Sequence, residues 1–189
     1  MWEPNRTDGH LGDIGVLLED GTEPGPVYYD TGSGSNIHKT TNWYCYDGTL
    51  GAPRATTMRA RCACGWRGQT TYPIDWDQVE RRQPYLYDTS GPESDWDAHT
   101  QEVAALAVQL PENSVQLLKQ LEEWLYDDDV DPLVILRAVG ELEAITTSIA
   151  SYAARQAGTK HSDKEIARAL GLTDTVLTAR LAHYKNRGR

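Results

Sequence analysis

A change of texture near Ser94 constrains this chain more than any other feature. Upstream, residues 1–92 hold most of the glycines and prolines, together with Tyr, Trp and Thr. Downstream, Leu, Ala, Val and Glu recur at helical spacing. The first part can fold only as short strands and long loops and the second as helices, so the expected class is α+β. Short β-prone pieces at 15–18, 27–29, 42–46, 56–62 and 68–73 alternate with turn signals such as Pro24-Gly25-Pro26 and Asp47-Gly48. Aliphatic residues are sparse among them. A core built there needs aromatic packing, a structural metal or both.

In the helical part, Ser94 is a candidate cap for a helix towards Leu110, closed by Pro111. Residues 114–126 carry Val115, Leu117, Leu118, Leu121, Trp124 and Leu125 at helical spacing. The run Asp127-Asp128-Asp129-Val130-Asp131 lacks the glycine and distal glutamate of a calcium loop and reads as a solvated connection. Asp131 before Pro132 is a cap and first-turn pair for a helix to about Ala157, with Gly158 as its stop. Leu133, Leu136, Val139, Leu142, Ile145, Ile149 and Tyr152 fall on one side of it. The expected organisation is a β-rich, metal-binding module with a closing helix (1–111), a helical linker or dimerisation region (112–158), and a helix-turn-helix (159–189).

No stretch approaches the roughly 20 apolar residues of a membrane helix. The start, Met1-Trp2-Glu3-Pro4, has no basic region followed by an apolar one. With three cysteines and no export signal, a reducing cytoplasmic compartment is expected, with thiols or a metal in place of disulfides. The net charge of −10 is uneven. Residues 157–189 hold seven Lys/Arg against three acids, while the remainder holds 11 against 25. A basic tail is where nucleic acid would touch, and an acidic body is suited to a protein partner.

Patterns of catalysis are missing. Residues 31–40 end in Lys39-Thr40, but Ser33 and His38 stand where a phosphate loop needs glycine. There is no dinucleotide fingerprint and no Gly-x-Ser-x-Gly elbow. The expectation is a protein without enzymatic activity.

Cys62-Ala63-Cys64-Gly65-Trp66 supplies two thiolates before a glycine that permits a tight turn, half of a zinc knuckle with a one-residue gap. A tetrahedral site needs two further ligands, available from Cys45, His38, His99 and His10. The set expected is Cys45, Cys62, Cys64 and His99 around a structural zinc, with His38 as substitute. The alternative is three reduced cysteines packed as small apolar side chains. The segment Cys-Ala-Cys-Gly-Trp-Arg-Gly, with Trp-Asp-Ala-His downstream, resembles small actinobacterial modules carrying Cys-x-Cys-Gly-Trp.

Ser162-Asp163-Lys164-Glu165 is a capping box. It opens a short helix to Leu170; Gly171 turns the chain and Thr173 caps a second helix, 174–184. Ile166, Leu170, Leu172, Leu177 and Leu181 form a small apolar wedge, and Ala167 keeps the helices close. This Glu-Ile-Ala-Arg-Ala-Leu-Gly-Leu-Thr…Leu-Thr-Ala-Arg-Leu segment resembles the helix-turn-helix of sigma-factor region four and related bacterial regulators. The resemblance implies DNA binding in transcriptional or mobile-element control, with residues 174–184 in the major groove. Asp174, Thr175, Thr178 and Ala179 would then face the bases. Lys164, Arg168, Arg180, Lys185, Arg187 and Arg189 would hold phosphates. The rival reading is a protein–protein adaptor that docks through the same helices, and residues 133–152 offer a seam for a homodimer.

Overall fold

The structure, a computed structural model, describes residues 1–3, 9–30 and 37–187, without the side chains of residues 29, 30, 37, 186 and 187. Among these residues the strands are Gly12–Leu17 (β1), Val27–Asp30 (β2), Ile37–Thr40 (β3), Thr57–Cys62 (β4) and Tyr72–Pro73 (β5). β1, β4 and β5 form one antiparallel sheet in that order, and β2 pairs with β3 in another. The helices are Ser90–Leu106 (α1), Glu112–Leu125 (α2), Pro132–Lys160 (α3), Asp163–Leu170 (α4) and Asp174–Arg187 (α5). The fold is α+β. No helix among the described residues is long and apolar enough to cross a membrane.

β4 shows the period of two that pins a sheet: Met58, Ala60 and Cys62 are buried, while Thr57, Arg59 and Arg61 point the other way. Arg59 reaches Glu23 at 2.6 Å and Arg61 reaches Asp13 at 2.7 Å. The buried side packs Met58 with Ile14, Val16, Trp43, Tyr46, Ala55 and Ile74. Aromatic rings supply much of this core, with Trp43 lying 6.0 Å from Trp76 and 5.4 Å from Tyr87.

Four local expectations are corrected. Ser94, read as a helix cap, lies inside α1, which starts at Ser90 and ends at Leu106, short of Leu110. Residues 42–46 are not a strand: Trp43–Cys45 is a 3-10 turn. In that geometry positions i and i+3 share a face, so Trp43 and Tyr46 enter the core together, which alternation would forbid. Ile37–Thr40, read as part of a surface loop, is β3; the rest of that loop, residues 31–36, lies outside the described residues. Gly158 does not end α3, which continues to Lys160.

The chain divides into two units, Met1–Ala105 and Leu106–Arg189. The boundary expected between 158 and 159 falls inside α3, whose C-terminal part packs on α4 and α5. In this second unit Ile166, Ala167, Leu172 and Leu177 are buried, with Ala157, Val176 and Leu181 around them. Ser162 Oγ accepts from the Glu165 amide at 3.4 Å, and the Ser162 amide donates to Glu165 Oε2 at 2.8 Å. Gly171 adopts φ 63°, the left-handed conformation that ends α4 and turns the chain into α5.

Asp131 Oδ1 accepts the Leu133 amide at 2.8 Å and so caps α3. Asp131→Ala should cost the helical unit about 1 kcal/mol, seen as a lower urea midpoint with unchanged slope. An unmoved midpoint would mean that tertiary packing alone sets the start of α3.

Candidate metal centre

The β1–β4 register builds the site. Gly12 stands opposite Cys62, and the Ala63 amide donates to the Leu11 carbonyl at 2.9 Å, extending the ladder beyond both strand ends. His10, just before β1, is thereby set against the Cys62–Cys64 turn. That turn is tight: the Gly65 amide donates to the Cys62 carbonyl at 2.9 Å, and the Cys62 amide to the Trp66 carbonyl at 3.0 Å. Gly65 sits at φ 97°, a conformation a side chain would resist. It lets the Trp66 amide donate to Cys64 Sγ at 3.4 Å.

α1 brings the fourth group. Trp96 is buried against Ala60 and Cys62, with Trp2 and Trp66 packed around them. One helical turn later, His99 stacks on the Trp66 ring at 4.4 Å with an 8° interplanar angle, which fixes its imidazole plane. Cys62 Sγ lies 3.7 Å from His10 Nδ1, and Cys64 Sγ lies 3.4 Å from His99 Nε2. One donor atom from each of His10, Cys62, Cys64 and His99 lies within 4.8 Å of every other. His10 and Cys62 are buried, His99 is partly buried and Cys64 is exposed. These four residues could bind a metal ion.

The electrostatics suit a cation. Desolvation holds both imidazoles below the ordinary histidine pKa, and for His99 the neighbouring His10 adds to the drop while Glu102 opposes it. Both rings are therefore neutral near pH 7, the state that offers a lone pair. Desolvation raises the Cys64 thiol, and Cys62 beside it adds to the rise. A thiol pushed up in this way keeps its proton, and a bound cation would displace that proton and free the Cys64 sulfur to ligate. His10 Nε2, the ring nitrogen other than the one set 3.7 Å from Cys62 Sγ, is buried with no hydrogen-bond partner among the described residues.

Of the expected ligands, Cys62, Cys64 and His99 come together and Cys45 does not. Cys45 closes the 3-10 turn and lines a separate cavity of about 420 Å³ with Asp47, Arg54 and Trp76. The strand beside β4 is β1, so the fourth residue is His10. His38 is exposed on β3. A histidine two residues ahead of a strand is a weak signal; only the pairing partner of β4 turns it into a candidate.

No protein-family model, curated protein or solved structure matches the chain.

In the helix pair, Asp174, Thr175, Thr178 and Ala179 all lie on the exposed side of α5, and Lys164, Arg168 and Lys185 are exposed as well. Thr178 Oγ1 donates to the Asp174 carbonyl at 2.9 Å, which commits its proton to the helix. Arg180 is only partly exposed and lines an apolar groove with Leu181 and Tyr184. The Arg187 side chain and Arg189 lie outside the described residues.

Proposed function

We propose that the chain is a DNA-binding protein without enzymatic activity, acting through α4 and α5 and stabilised in its first unit by a structural zinc. The observation that carries the reading is the α4–Gly171–α5 unit. A complete capping box, a left-handed glycine and a buried Ala167 hold two short helices against α3, and the outer face of α5 stays open. The resemblance to sigma-factor region four adds the expectation of major-groove entry. Regulation of transcription or of a mobile element is the use this reading favours.

The donors available on that face set the mode of binding. Asp174 only accepts, Thr178 spends its proton on the helix, and Ala179 offers methyl contact alone. Affinity then comes mainly from Lys164, Arg168 and Lys185 on phosphates, with modest sequence preference. Binding to host genomic fragments should fall steeply with salt, and Arg168→Gln should reduce the log–log salt slope by about 1 across all sequences. Retention of no fragment even at low salt would defeat the reading.

Zinc is the metal the donors favour. With bonds of about 2.3 Å to sulfur and 2.1 Å to nitrogen, a tetrahedral ion holds S and N roughly 3.6 Å apart. The two S···N separations, 3.7 and 3.4 Å, bracket that value. Two thiolates and two imidazoles fill all four positions and leave none for substrate, so the role is structural. Native mass spectrometry of the untagged protein should find one zinc, lost in Cys64→Ser.

A second reading, a protein–protein adaptor docking through the same helices, is favoured by the lack of any bidentate base-reading donor among Asp174, Thr175, Thr178 and Ala179. It predicts no DNA retention at any salt.

A further inference from the structure

Of the four groups at the candidate metal centre, Cys64 alone is exposed, on a turn whose residues 63, 64 and 65 all reach solvent. Cys62 is 3% exposed and His10 5%. We propose that the centre is a peroxide-sensitive switch: Cys64 is the sulfur that is oxidised, Cys62 is the sulfur that resolves it, and the metal leaves. The proposal rests on the structural zinc reading and adds regulation to it.

Access singles out Cys64. A cysteine reacts with peroxide in proportion to its thiolate character and its exposure. A zinc ion supplies the first to both sulfurs, because its cysteine ligands are deprotonated. The fold supplies the second to Cys64 and withholds it from Cys62, which packs with Ala60 and Trp96. Cys64 Sγ is held by the Trp66 amide and His99 Nε2, each at 3.4 Å. Its neighbours in the chain, Ala63 and Gly65, face solvent, so movement of this turn displaces water and no packed side chain.

One resolving sulfur is in reach. The sulfurs of Cys62 and Cys64 lie within 4.8 Å of one another, while Cys45, the third cysteine of the chain, lines a separate cavity. In the first step Cys64 Sγ attacks a peroxide oxygen. The S–O bond forms, the O–O bond breaks, and the departing hydroxide takes a proton from solvent. In the second, Cys62 Sγ attacks Cys64 Sγ. The S–S bond forms, the S–O bond breaks, and the second hydroxide is protonated to water. Two thiolates have lost two electrons, peroxide has become two waters, and zinc stays divalent. The ion then keeps two imidazoles of its four donors and leaves, which removes the tie between α1 and the end of β4. A disulfide closing so short a loop gains little from chain entropy, so a dithiol reverses it.

Native mass spectrometry of the intact chain before and after hydrogen peroxide, with alkylation of free thiols in denaturant, tests the proposal. The untreated chain should carry one zinc and alkylate at all three cysteines. The treated chain should lose the zinc, weigh two hydrogens less and alkylate at Cys45 alone. Dithiothreitol with added zinc should restore the starting state. Cys45→Ser, a change outside the cluster, should lose its zinc as the wild type does. Zinc retained under peroxide with all thiols free would overturn the switch and leave the structural zinc standing. So would zinc lost with Cys64 carried to the sulfinic acid and no bond to Cys62, or a disulfide that involves Cys45 or a second chain. A chain isolated without zinc would overturn the switch and the zinc reading together, so the two failures are told apart by the untreated sample.

Discussion

Removal of the metal should melt the Met1–Ala105 unit at a markedly lower temperature and leave the transition of the helical unit where it was. The reason lies in what else holds the first unit together. Its sheet has one six-residue strand pair and a two-residue third strand, and its apolar core contains few aliphatic residues. A metal held by His10, Cys62, Cys64 and His99 would tie together the approach to β1, the end of β4 and the middle of α1, three segments distant in sequence. A ligand present at a thousandfold above its dissociation constant adds about 4 kcal/mol to the folded state, and structural zinc sites commonly exceed that. Calorimetry with and without a strong chelator should resolve the two transitions. Cys62→Ser should reproduce the chelated protein more fully than Cys64→Ser, because Cys62 is 3% exposed and its sulfur is also a packing atom for Ala60 and Trp96. Acid should act in the same direction. The folded pKa values of His10 and His99 lie below the ordinary histidine value, so protons bind the unfolded chain first. The stability contributed by the neutral rings is complete above about pH 6.5 and is lost as pH falls towards the folded pKa values. An unmoved midpoint in protein shown to be free of metal would reduce the four side chains to packing.

Different parts of the molecule were legible to different degrees, for physical reasons. Caps and turns are local, and the Ser162–Glu165 box, the Asp131 cap and the Gly171 turn all stand as their residues imply. Gly158 was misleading because a glycine inside a helix costs only about 1 kcal/mol, which packing of α3 on its neighbours can override. At the metal centre, Cys62, Cys64 and His99 were readable from thiol spacing and a helical histidine. His10 was not, since its place depends on β1 being the partner of β4. Local alternation gave residues 42–46 an equal claim to that edge. The claim failed because Trp43 and Tyr46 are worth more buried together, three residues apart on one face of a turn, than divided between the faces of a strand.

Gly12→Ala should loosen the metal although residue 12 supplies no ligand. A methyl built on Gly12 would sit 2.5 Å from Cε2 of Trp96 and 2.6 Å from two neighbouring ring atoms, where carbon atoms in contact need about 3.5 Å or more. Neither side yields easily. Gly12 is fixed by its pairing with Cys62 and by two 2.8 Å backbone hydrogen bonds with Trp2. Trp96 is 3% exposed and lies 5.8 Å from the Trp2 ring. The relief available is a shift of α1 by about an ångström, and α1 carries His99 one turn beyond Trp96. Overpacking of this kind costs about 1–3 kcal/mol. Displacing the support of a ligand lowers metal affinity by about 10–100-fold. Gly15→Ala is the control on the same strand: its methyl would meet Arg61 Cδ at 3.4 Å, the far part of a flexible side chain, so zinc affinity should stay at the wild-type value. Competition against a chromophoric chelator measures both variants. Equal affinity in Gly12→Ala and wild type would show that His99 is held by its stack on Trp66 alone, with the Trp96–Gly12 contact serving only to pack α1 on the sheet.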